Sequence, residues 1–168
     1  MDLLVVRHAI AEERARFAES GKEDAERPTT ADGRKKFERG ARGLRRLVAE
    51  IDVLATSPLA RAVETGDILQ RAYGIDRAAR LRELEPGADP ASLARWLRRQ
   101  KRQEVVAVVG HEPHLSALVE HLLTGGRRGF LDLKKGGACL LALPDGDATG
   151  HAELRWLLTA GQLRKLGR

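Results

Sequence analysis

The chain contains one cysteine, Cys139, so it can form neither an intramolecular disulfide nor a cysteine-based metal cluster. That cysteine sits in Ala138-Cys139-Leu140-Leu141, an apolar setting that reads as packing rather than reactivity. Aromatic residues make up only 4% of the chain, too few for the stacking platforms of single-strand nucleic-acid binders. No apolar run approaches the roughly 18 residues that would mark a membrane span. Asp2 stands where a signal peptide would be basic, and the apolar stretch after it is short, so the expected compartment is the cytoplasm. No repeat or break in composition divides the 168 residues, and one domain over residues 1–168 is expected.

What is present is a globular composition, 42% hydrophobic and 32% charged, with a net charge of +6 from 30 basic and 24 acidic residues. The excess suits an anionic ligand and equally suits plain solubility. The basic residues are scattered (Arg42, Arg45, Arg46; Arg98, Arg99, Lys101, Arg102; Arg127, Arg128; Lys134, Lys135), so nucleic acid is not an expected partner.

Strand and helix signals alternate along the chain. Leu3-Leu4-Val5-Val6 is a continuous apolar run, as in strands covered on both faces. Residues 11–28 are charged, with little periodicity, and read as a loop that either borders a site or is simply solvated. A helix is expected from near Thr30 to about Glu50, weakened by Gly33, Gly40 and Gly43. Val53–Thr56 reads as a strand. Ser57 and Pro58 follow as the N-cap and first residue of a helix that ends by Gly74. A brief strand at Ala79–Leu81 precedes a second cap-plus-proline signal, Asp89-Pro90. Val105–Val109 is the clearest strand, and the helix after it, carrying Leu115, Leu118, Val119 and Leu122, closes at Gly125-Gly126. Two late strands, Ala138–Leu143 and Ala152–Leu158, flank the turn Pro144-Asp145-Gly146-Asp147, and Thr159 with Gln162 forms a capping box for a terminal helix. The pattern implies a layered α/β fold with a mainly parallel sheet.

Three strand-to-helix junctions carry related chemistry: Arg7-His8, Ser57 to Arg61, and Gly110-His111. Each has a plain explanation alone. Arg7-His8 reads as a polar strand end, Arg61 as a surface residue pairing with Glu64, and His111 as a helix cap. In a parallel sheet, however, all three lie on the C-terminal edge, where open α/β folds bind ligands. Two arginines, two histidines and a helix N-terminus there suit a dianionic phosphate. His111-x-x-His114 is the spacing of a possible metal pair, but Pro113 lies between the two and no third ligand stands out, so no metal is expected. His114, His121 and His151 have no comparable setting.

These residues resemble the histidine phosphatase superfamily, also called phosphoglycerate mutase-like. Arg7-His8-Ala9 is similar to its Arg-His-Gly signature, and Thr56 to Ala62 to its second motif, which ends in a phosphate-binding arginine. Leu81-Arg82-Glu83-Leu84 resembles the segment that supplies an acid, and Gly110-His111 its second histidine. Arg27-Pro28-Thr29-Thr30, Glu83-Leu84-Glu85-Pro86 and His111-Glu112-Pro113 are similar to the short phosphohistidine phosphatases of the SixA type. The resemblance implies a three-layer α/β sandwich without the inserted cap of larger mutases. Only 21 residues separate Arg61 from Glu83, and 27 separate Glu83 from His111. It implies a metal- and cofactor-independent phosphatase. In that reading His8 is the nucleophile, and Arg7, Arg61, His111 and Ser57 hold the phosphoryl oxygens. Glu83 is the candidate general acid, with Glu85 nearby as a rival. The implied partner is a phosphate-bearing substrate, foremost a phosphohistidine protein. The alternatives are a small phosphorylated metabolite and a non-catalytic phosphate- or polyphosphate-binding module. No sequence feature signals oligomerisation, so a monomer is the default. Ala9 departs from the family's glycine, and a positive φ there would cost alanine roughly 1 kcal/mol.

Overall fold

The computed structural model describes residues 1–100, 103–126, 129–145 and 148–168. The basic residues Lys101, Arg102, Arg127 and Arg128 and the Gly146-Asp147 half of the late turn lie outside them. Six strands form one sheet: β1 (Asp2–Arg7), β2 (Val53–Thr56), β3 (Ala79–Arg80), β4 (Val105–Gly110), β5 (Ala138–Ala142) and β6 (Glu153–Leu158), in the order β3-β2-β4-β1-β5-β6. The first four in that order run parallel, and β5 and β6 are antiparallel additions at one side.

The unbroken apolar strands follow from cores on both faces. Successive side chains of a strand point to opposite sides. Leu3 and Val5 of β1, with Val106 and Val108 of β4, pack on one core; Leu4 and Val6, with Ala107 and Val109, pack on the other. Helices α4 (Pro90–Arg98) and α5 (His114–Thr124) cover the first face. Helices α2 (Ala31–Leu47), α3 (Ala60–Tyr73) and α6 (Ala160–Leu166) cover the second. The result is a three-layer α/β sandwich. Cys139 is fully buried in the first core, as its apolar setting implied. Among the described residues no helix is long and apolar enough to cross a membrane.

The structure corrects several local expectations. Residues 11–28 are not a bare loop: they hold a short helix α1 (Arg14–Ala18) and a 3-10 turn (Asp24–Glu26), and Ala11 bridges Thr29. Helix α2 is capped by Thr30 as read but ends at Leu47, before Glu50. Helix α3 starts at Ala60, with Leu59 at the cap position, so Ser57 and Pro58 belong to the turn before it. The Ser57 hydroxyl accepts from the Leu59 amide at 3.4 Å within that turn and makes its shorter bond to His111, at 2.8 Å.

The glycines of α2, read as weak points, are close-approach positions. A Cβ on Gly43 would lie 2.1 Å from the carbonyl oxygen of Leu163 in α6, and one on Gly33 2.2 Å from that of Ile10. Gly43→Ala should therefore destabilise by about 1–3 kcal/mol through overpacking, which outweighs the gain of about 1 kcal/mol in helix propensity. Gly40→Ala, whose Cβ would meet only the Leu163 Cβ at 3.8 Å, should be neutral or stabilising. Urea unfolding of the two variants tests this, and equal midpoints would contradict it.

Candidate active site

Strand register brings the three junctions together. Arg7 of β1 pairs with Gly110 of β4, and Thr56 of β2 pairs with Val109. The next residues, His8, His111 and Ser57, therefore leave the sheet side by side. Two further hydrogen bonds extend the ladder past the strands: the amide of His8 donates to the Gly110 carbonyl at 3.0 Å, and that of Ser57 to the Val109 carbonyl at 2.9 Å. The rings of His8 and His111 lie 5.1 Å apart between centroids, tilted by 50°.

His8 is 5% exposed, and its Nδ1 lies 2.7 Å from the Ala9 carbonyl oxygen. A carbonyl only accepts, so Nδ1 carries the hydrogen and Nε2 of the neutral ring keeps its lone pair. Burial lowers the His8 pKa to about 4; the charges of Arg61, Arg7 and Lys135 act in the same direction, and the bond to Ala9 opposes them. The ring is therefore neutral at physiological pH. Ala9 has no positive φ, so the departure from glycine carries no backbone strain. Its amide donates to the Thr65 hydroxyl at 3.0 Å, and that hydroxyl donates to the Arg61 carbonyl at 2.7 Å. Thr65 thus ties the loop after β1 to the first turn of α3.

His111 is also buried, and burial, with the neighbouring His8, Arg61 and His114, brings its pKa down to about 2. Its Nε2 bonds the Ser57 hydroxyl, and its Nδ1 is buried without a partner among the described residues. Two guanidinium atoms share that condition, Nε of Arg7 and Nε of Arg61. Arg7 is anchored by Nη1, which donates to the Leu133 carbonyl at 2.6 Å. Glu112 Oε1 and Ser116 Oγ are likewise buried without a partner among the described residues, but unpaired buried polar atoms cost about 1–3 kcal/mol each, and the presence of three on Arg7, Arg61 and His111 suits an anion acceptor.

Arg61 does not pair with Glu64, its plain sequence partner. Glu64 instead bonds the amide and hydroxyl of Thr29. The Arg61 guanidinium is held from the 11–28 segment, Nη1 donating to the Asp24 carbonyl at 2.9 Å and Nη2 to the Asp24 carboxylate at 3.2 Å. Asp24 also takes Arg27 at 2.8 Å and Arg14 at 3.4 Å. Burial opposes ionisation of Asp24, but the Arg27 hydrogen bond and the charges of Arg61, Arg27 and Arg14 outweigh it and bring the carboxyl down to about 2. Sequence reasoning missed Asp24 and Thr65. The signals available were the i,i+4 spacing of Arg61 and Thr65 and the position of Asp24 one turn before Arg27.

Glu83 lies half-buried in a 3-10 turn (Arg82–Leu84) that packs on the end of β4. Its carbonyl accepts from Nε2 of His114 at 2.7 Å, so His114, which lacked any setting in the sequence, is a buried brace for that turn. Glu85 follows as the cap residue of the same turn. Among the described residues no three His, Cys, Asp or Glu side chains stand close enough together to hold a metal ion.

Residues 3–89 match the sequence profile of the histidine phosphatase superfamily (branch 1). The chain belongs to that superfamily. As a member it is a phosphatase. It is 32% identical to an uncharacterized protein of Picosynechococcus, over 94% of this chain and 99% of that one. Its fold is similar to that of the protein histidine phosphatase SixA complexed with tungstate, with a TM-score of 0.82, 23% identity and coverage of 97% and 99%. It is also similar to the α-ribazole phosphatase of Shigella flexneri, with a TM-score of 0.73, 16% identity and coverage of 95% and 97%. The phosphoglycerate mutase-like sandwich expected from sequence is the fold observed.

The depressed His8 pKa has a consequence for this histidine phosphatase. Between the ordinary 6.5 and about 4, the unfolded chain binds a proton that the folded chain does not. Stability is therefore full above pH 6.5 and falls as the pH drops toward 4. His8 alone should cost about 2 kcal/mol between pH 7 and pH 5, with His111 acting in the same direction. Denaturant midpoints across that range test this; a flat profile would refute it.

Proposed function

We propose that this phosphatase works through a phosphohistidine intermediate on His8, with a phosphohistidine-bearing protein as substrate. The observation that carries the reading is the buried His8 ring, neutral and held by Ala9 with its Nε2 lone pair free. Nε2 attacks phosphorus in line, and the bond from phosphorus to the substrate imidazole breaks, its electron pair leaving with that ring. Water then attacks the phosphoryl group on His8, and the pair of the N–P bond returns to Nε2. Histidine and inorganic phosphate are the products. Arg7 and Arg61 balance the charge on the equatorial oxygens, with His111 as a further donor when Ser57 donates to its Nε2. In this reading Glu83 gives a proton to the departing ring and takes one back from the attacking water, a role supported by its half-buried carboxylate having no hydrogen bond among the described residues. We further propose that residues 1–168 form one domain without a cap, which leaves room for a macromolecular substrate.

Similarity to SixA over nearly the full length of both chains supports a protein phosphohistidine substrate. The likeness to an α-ribazole phosphatase favours the second reading, a phosphomonoester of a small metabolite. A substrate panel separates the two. The expected result is a kcat/KM for a labelled phosphohistidine protein at least about tenfold above those for sugar phosphates. The reverse order would favour the metabolite reading.

A further inference from the structure

Beside the nucleophile the surface becomes basic. A shallow cleft is lined by Ala9, Ile10, Lys36, Phe37, Lys135 and Arg164, together with small residues. Ala9 holds the His8 ring through its carbonyl, so the cleft begins at the edge of the site. Every charged side chain that lines it is a cation, and the charge of Lys135 is felt at His8. Lys36 shares its charge with Asp32 at 2.6 Å, and Lys135 lies near enough to Glu13 to help lower the pKa of its carboxyl, without an ion pair between them; Arg164 has no ion pair among the described residues.

The size of the cleft decides what it can take. Its volume is about 10 Å³, against the roughly 300–1,000 Å³ of small-molecule pockets. It cannot enclose a metabolite. A shallow cationic rim with a partly exposed isoleucine, Ile10 at 37%, instead fits a protein surface.

We infer that Ile10, Lys36, Lys135 and Arg164 form a docking rim for a phosphorylated protein whose surface is acidic beside its phosphorylated residue. This rests on the proposed phosphoprotein substrate and adds how that partner is recognised. Acidic side chains flanking the phosphoryl group meet the cations, and an apolar neighbour packs on Ile10. The same field guides the encounter and weakens as salt screens it.

The test uses two histidine-phosphorylated carrier proteins of matched size, one acidic and one basic around the phosphohistidine, with free phosphohistidine as the small substrate. Wild type should turn over the acidic carrier about tenfold more efficiently at low salt, a preference that shrinks at high salt. The K36E/R164E variant should lose that preference through a raised KM, while its kcat/KM for free phosphohistidine stays within about twofold of wild type. A double variant that matches wild type on the acidic carrier overturns the docking rim alone. So does an equal loss on all three substrates, since the charges would then act on the site and not on the partner. Wild type that hydrolyses free phosphohistidine but neither carrier overturns the phosphoprotein reading and the rim with it. The milder K36Q/R164Q should fall between wild type and the charge reversal.

Discussion

His8→Ala is expected to lower kcat by at least about 10⁴-fold on both a phosphohistidine protein and an aryl phosphate, and to leave no phosphoenzyme to trap. In the proposed mechanism His8 is the group of the cluster whose role requires a lone pair, and its Nδ1–H is spent on Ala9, so Nε2 is the atom left to attack. Neither guanidinium can replace it, because arginine has no acceptor and does not deprotonate. The variant also discriminates against a non-catalytic phosphate binder. Arg7 and Arg61 persist in it, so tungstate or phosphate should still raise its melting temperature. Wild-type activity in His8→Ala would remove His8 as nucleophile. A wild-type protein that binds phosphate tightly yet yields no acid-labile phosphoenzyme would favour the binding module.

Arg61→Lys is expected to lower kcat/KM by about 10²–10³-fold, with kcat falling as well as the affinity for tungstate. Arg61 is 2% exposed, and two of its N–H groups are occupied by Asp24, which leaves Nε buried and unpartnered. A guanidinium can satisfy Asp24 and offer a donor to an oxyanion at once because its donors are arrayed in one plane. An ammonium on a flexible stem cannot do both. Asp24→Asn provides the comparison. It keeps the backbone bond from Nη1 and loses the carboxylate, so its effect should be smaller, about tenfold. If Arg61→Lys were indistinguishable from wild type, Arg61 would not contact the reacting group.

Much of this was legible in the chain. The apolar runs in β1 and β4 identified strands buried on two faces, and the order of strands and helices implied the layered sheet. His8, Arg61 and His111 stood out because each follows a strand in a fold where such positions converge. What stayed hidden shares a physical cause. Asp24 lies in a stretch with no periodicity, because a segment tied down by ion pairs and carbonyl bonds needs no repeating apolar face. Gly43 looked like a helix fault, because a close backbone approach leaves no mark on sequence except the glycine itself. Ser57 looked like a cap, because a hydroxyl before proline has that tendency until a buried imidazole competes for it.

The sequence by itself therefore determined the strands, the residue types at their ends and the superfamily, since those depend on local pattern and on motifs short enough to read. Only the tertiary structure decided the state of the site. Whether His8 is neutral depends on its burial and on charges that include Arg61 and Lys135, far away in sequence, and which nitrogen keeps its lone pair depends on one carbonyl. The orientation of Arg61 depends on Asp24, 37 residues earlier. Charge state and aim are set by through-space distance and desolvation, and those quantities exist only once the chain has closed on itself.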